Sequence, residues 1–165
     1  MTATSVPFTG VRVRYASSRS YDELVAALLA DVGGQPVPID AVAAGSDSWE
    51  SYERAVGAYV GPSGFMLFGS FDHGGWLPKA GIDRAVLRVV IGNPLIAITM
   101  LRHDVTAGLF APVELLLTGE PGGGSALTYV VPSSLMVVEP NPELLAAAEV
   151  LDAKLAALAG AVTAG

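Results

Sequence analysis

Residues 65–104 read FMLFGSFDHGGWLPKAGIDRAVLRVVIGNPLIAITMLRHD. Residues 65–71 alternate like a strand, with Phe65, Leu67, Gly69 and Phe71 on one face and Met66, Phe68, Ser70 and Asp72 on the other. Residues 84–91 form a clearer strand, with Ala85, Leu87, Val89 and Ile91 inward and Arg84 and Arg88 outward. Gly92-Asn93-Pro94 then sets an N-cap side chain before a proline at the first helical position, the favoured order for a helix start. The helix predicted from there through His103 is apolar nearly all round. That predicts burial, in the core or at a subunit interface.

Working outward, residues 11–15 alternate Val, Arg, Val, Arg, Tyr as a half-buried strand. Ser20 with Glu23 is a capping box opening a helix over Leu24, Val25, Leu28 and Leu29, which Gly33-Gly34 ends. Residues 35–46 read as irregular, with an edge strand at 37–42. A second capping box, Asp47 with Glu50, opens a short helix through Tyr59 that lays Trp49, Tyr52 and Val56 on one face. Downstream, residues 113–118 and 126–131 are strands joined by a Gly-rich tip. Asn141-Pro142 starts a C-terminal helix striped by Leu144, Leu145, Ala148, Leu151, Leu155 and Leu158. Hairpin-like connections, and no regular strand–helix alternation, argue an α+β domain with a mostly antiparallel sheet rather than a doubly wound nucleotide fold.

The chain has 165 residues, one domain's worth, and 52% apolar content places it among folded proteins. The single domain spans residues 1–165, with a core at about 11–158. Nine basic against sixteen acidic residues, net −7, with no basic patch, argue against nucleic acid. With no cysteine, thiolate chemistry and disulfides are out, as in a cytoplasmic protein. No apolar run of membrane-spanning length and no secretory signal is visible, so no membrane partner is expected.

The segments FMLFGSFDHGGWL, VIGNPLIAITMLRHD, GLFAPVELLL and LDAKLAAL together resemble the DUF302 family of bacterial domains of unknown function. Gly92-Asn93-Pro94, with Gly108-Leu109 and Pro112 downstream, is the most specific part. The resemblance implies a TBP-like β-α-β(4)-α fold, a curved antiparallel sheet with helices on one face, and a homodimer. It implies no activity. Many relatives carry a cysteine just after the proline that Pro112 matches; Val113 stands there, so a thiol role does not carry over.

Two functions from different classes follow from the residues. In the first, Phe68, Phe71, Trp76, Ile96, Met100 and Tyr129 line an apolar pocket for a small aromatic or polyketide-like molecule, with Asp72, Asn93 and Arg102 at its margin. In the second, a cofactor-free isomerase, lyase or cyclase uses His73 or His103 as base, Asp104 as a partner carboxylate, and Arg102 or Asn93 against developing negative charge. The enzyme requires the histidines, or one of them with Asp104, to face one cavity; the binding domain requires only the cavity. Each motif also has a plainer reading. Asp72-His73-Gly74-Gly75-Trp76 fits a strand-ending turn, and His103 fits a residue capping the end of a helix. Two histidines and a carboxylate match a metal triad in number, but no ligand spacing supports one. No metal or cofactor is expected.

Overall fold

The computed structural model describes residues 2–165. Five strands form one antiparallel sheet: β1 (Arg12–Ser17), β2 (Met66–Asp72), β3 (Val86–Gly92), β4 (Val113–Gly119) and β5 (Ser125–Val130), in the spatial order β1-β5-β4-β3-β2. Helices α1 (Tyr21–Val32) and α6 (Pro142–Thr163) pack against this sheet. They bury Leu24, Leu28, Leu151, Leu155 and Leu158 against the alternate strand residues Val89, Ile91, Leu115, Leu117 and Leu127. The other face of the sheet carries Arg12, Arg14, Arg88, Glu114 and Leu116, which are exposed or half-buried. The fold is α+β, an open sheet covered by helices on one side.

Local chemistry sets the element starts. Ser20 accepts from Glu23 N while Glu23 accepts from Ser20 N, closing the capping box of α1. Asn93 caps α4 (Pro94–Leu101), and Asn141 caps α6, each with proline at N1. The connection β4–β5 is a hairpin, as its glycine tip requires: Gly123 and Gly124 have φ of 91° and 78°.

Four details depart from the sequence reading. Residues expected as an edge strand at 37–42 instead enter α2 (Ile39–Ala44); only Val37 N–H reaches the sheet, at Leu67 O. The alanine-rich composition there favours helix once Pro38 has turned the chain. The next helix, α3 (Trp49–Gly57), starts one residue later than expected, because Ser48 and Ser51 form its reciprocal cap rather than Asp47 and Glu50. Residues 132–136, where the sequence reading placed no element, close into a short helix, α5 (Pro132–Met136). Finally, of the two alternatives for α4, full burial in the core is not what is found: of its residues only Met100 is fully buried, and most of the others are half-buried.

A β-bulge in β2 decides where the aromatic side chains of that strand point. Leu67 pairs with Ile91 and Gly69 with Val90, so Phe68 is the extra residue between them. The period-2 alternation breaks there. Leu67 faces the helices and is buried, whereas Phe71, expected on the same face, points away and is 52% exposed.

Candidate functional site

The bulge sends the Phe68 ring over the end of β3. A Cβ on Gly92 would lie 2.8 Å from Phe68 Cε2 and 3.0 Å from Pro112 Cβ, so only glycine admits both neighbours. Immediately after it, Asn93 leaves the strand and starts α4. Its side chain, 9% exposed, donates from Nδ2 to Gly64 O at 2.9 Å and accepts at Oδ1 from Leu95 N at 2.8 Å. Asn93 therefore ties the 61–64 turn to the helix start, engaging one amide hydrogen and its carbonyl oxygen inside the fold.

Between these segments lies a cleft of about 340 Å³. Phe65, Phe68 and Gly92 form one wall and Pro94, Ile96, Ala97 and Met100 of α4 the other. Ala111, Pro112 and Val113 close one end, and Ile39 and Leu151 reach in from α2 and α6. Asn93 is the one polar side chain among these residues, and no ionisable group lines the cleft. Such a surface favours apolar matter and offers an incoming ligand no charge.

Of the residues singled out from the sequence, Phe68, Asn93, Ile96 and Met100 meet at this cleft. The others lie elsewhere. Asp72, the last residue of β2, and His73 and Trp76 after it sit at the opposite end of that strand, at least four residues or roughly 13 Å from Phe68. There the segment forms the strand-ending turn: His73 N and Gly74 N both donate to Val86 O, Gly75 N donates to Asp72 Oδ1, and the His73 and Trp76 rings meet edge-on at 5.8 Å. Phe71 carries the Arg88 guanidinium 5.2 Å above its ring on the sheet's open face.

His103 and Arg102 are exposed just past the end of α4. Asp104 caps the following 3-10 turn, accepting from Thr106 N and Thr106 Oγ1 at 2.8 and 2.7 Å. Those two bonds hold its carboxyl below the usual carboxylate range. Tyr129 is a core residue stacked on Tyr15 at 6.0 Å, and burial together with the Tyr15 hydroxyl raises its phenol above the usual range. The two histidines, placed by the sequence reading around one site, thus belong to separate turns. Among the described residues, no group of three or more His, Asp or Glu is close enough to hold a metal ion. Nor is any helix there long and apolar enough to cross a membrane.

Sequence reasoning missed Ile39, Phe65, Gly92, Pro94, Ala97, Ala111, Pro112, Val113 and Leu151. Gly92 and Pro112 were available as the most distinctive residues of the resemblance. Ile39 and Leu151 had no sequence signal, since they arrive from remote segments.

A family model described as a domain of unknown function, DUF302, matches residues 42–162. The chain belongs to the DUF302 family. Its fold is similar to that of a solved structure, an uncharacterized conserved DUF302 protein from Bacillus stearothermophilus, with a TM-score of 0.65. That likeness covers 92% of this chain and 97% of the other at 18% identity, which establishes shared architecture. No match was found among curated proteins. In this DUF302 chain the Gly92-Asn93-Pro94 corner and Pro112 do one structural job together: they frame the cleft.

Proposed function

We propose that this DUF302 domain binds a small apolar organic molecule, aromatic or polyketide-like, in the cleft between α4 and the end of β3. One observation carries the reading. An apolar concavity of about 340 Å³ remains open in a well-packed domain, and its single polar lining side chain, Asn93, is already satisfied by backbone partners. Binding rather than proton transfer is favoured, because no histidine or carboxylate lines the cleft. The protein as proposed acts in the cytoplasm, in keeping with a cysteine-free chain.

The test uses methyl-labelled methionine. Met100 lines the cleft, whereas Met136, the buried last residue of α5, does not and serves as an internal control. A naphthalene-sized aromatic is expected to shift the Met100 methyl and leave Met136 in place, and Ala97→Phe, which fills the cleft, is expected to abolish the shift. If no member of a panel of bicyclic and tricyclic compounds moves Met100, the binding reading is wrong.

We also infer a homodimer, in which the half-buried apolar side of α4, including Leu95 and Ile98, meets its counterpart. The support is that a helix apolar nearly all round is only half covered within one chain. Light scattering across a micromolar concentration series should give twice the chain mass; a monomer throughout excludes it.

A further inference from the structure

The cleft does not end at Pro112. A second depression of about 330 Å³ adjoins it, and Pro112 and Val113 border both. Its walls are mostly apolar, from Leu109, Phe110, Val130 and Leu135. A third depression of about 330 Å³ continues across the open face of the sheet, sharing Glu114 and Val130 with the second. Arg12 and Arg88 border this third one. The three form a bent track, apolar at one end and basic at the other.

Charge along the track is uneven. Arg88 is neutralised where it stands: its Nε donates to Glu114 Oε2 at 3.0 Å, and its Nη2 pairs with Glu114 Oε1. Arg12 lies opposite Val130 on β1 and, among the described residues, makes no ion pair. The track thus ends on one uncompensated guanidinium, on a chain whose net charge is −7. Val113 and Arg12 lie on strands separated only by β5, about 10 Å apart across the sheet. A guanidinium suits a carboxylate because its fork of donors matches the two oxygens.

Building on the cleft reading, we propose that the natural ligand is a monomeric long-chain carboxylate. Its tail lies in the cleft beside Met100, its chain bends over Pro112, and its head group pairs with Arg12. The absence of any charge in the cleft orients the molecule tail-inward, and the polyketide-like chain of the cleft reading is flexible enough to follow the bend.

The experiment compares decanoate with decanol on the full chain. Binding is followed by the Met100 methyl and the Arg12 side-chain Nε resonance, and affinity is measured by calorimetry. Decanoate is expected to move both signals and to bind about tenfold more tightly than decanol, the effect of one charge-assisted hydrogen-bonded pair. Arg12→Ala should erase that preference, and Arg102→Ala, which borders none of the three depressions, should leave it. If both compounds move Met100 with equal affinity, or if the decanoate preference survives Arg12→Ala, the carboxylate track is wrong and the cleft remains. If neither moves Met100 while the aromatic panel does, the track is again wrong. If nothing moves Met100, both readings fall.

Discussion

The two ends of the β2–β3 hairpin make opposite use of similar materials. At the Asn93 end, backbone and side-chain polar groups bond one another, and apolar surface is left facing a concavity. At the His73 end, the Asp72 carboxylate and the backbone of residues 73–77 close a tight turn, and the aromatic residues Phe71 and Trp76 lie half in solvent. The glycines differ in the same sense. Gly92 is crowded by a ring and a proline, whereas a Cβ on Gly75 would meet chiefly the movable Asp72 side chain. Distinctive residues mark both ends, but only one encloses space. A conspicuous motif and an enclosed site are separate properties.

This contrast can be broken most sharply with phenylalanines. Phe65 is fully buried at the cleft end and Phe71 is 52% exposed near the other. Phe65→Ala is expected to cost about 4 kcal/mol in urea denaturation. Phe71→Ala, losing little beyond its contact with Arg88, should cost under about 1 kcal/mol. Equal losses would mean that the exposed end is also structural.

Next in size is the polar pair. Asn93→Ala removes a cap and the tie to Gly64, so a loss of about 2 kcal/mol is expected. His73→Ala should stay within about 0.5 kcal/mol, since the turn's hydrogen bonds come from its backbone and its ring makes only an edge contact with the half-exposed Trp76. A large loss at His73 would show that its imidazole has a role that the turn geometry does not reveal.

The smallest effect concerns Asp104, whose carboxyl the Thr106 bonds hold low. Because its folded-state pKa is depressed, its stabilisation is present above the ordinary carboxylate range and is lost as pH falls through the folded value. A carbon-detected titration should place its midpoint below that of an ordinary aspartate, and Thr106→Ala should raise it. An unchanged midpoint would remove the Thr106 hydroxyl as a cause and leave only its backbone N–H.

Much of the fold was legible beforehand for reasons that individual residues show. Asn93-Pro94, Asn141-Pro142 and Ser20 with Glu23 start helices through bonds made within three residues, so sequence spacing is enough to read them. The alternation of Leu87, Val89 and Ile91 needs no distant partner to be recognised. The α2 segment misled because Val37 and Val42 suggest a strand, while alanines and a preceding proline favour a helix. The site was half legible: Phe68, Ile96 and Met100 were named, but Phe71 and Trp76 were grouped with them. That grouping followed nearness in sequence, although plain alternation sets Phe68 and Phe71 on opposite faces and Trp76 falls beyond β2 in the turn.

The sequence by itself determined the α+β class, the antiparallel sheet, the principal helix starts and the apolar character of α4, because each rests on contacts between near neighbours or on a simple period. Only the tertiary structure decided that the histidines stand apart, that Phe68 turns over Gly92, and that α4 remains half open. Those outcomes depend on which remote segments meet. Ile39, Phe68, Pro112 and Leu151 share one cleft although more than a hundred residues separate the first from the last. No local pattern encodes that convergence, because it is the packing of the whole sheet and its helices that closes the walls.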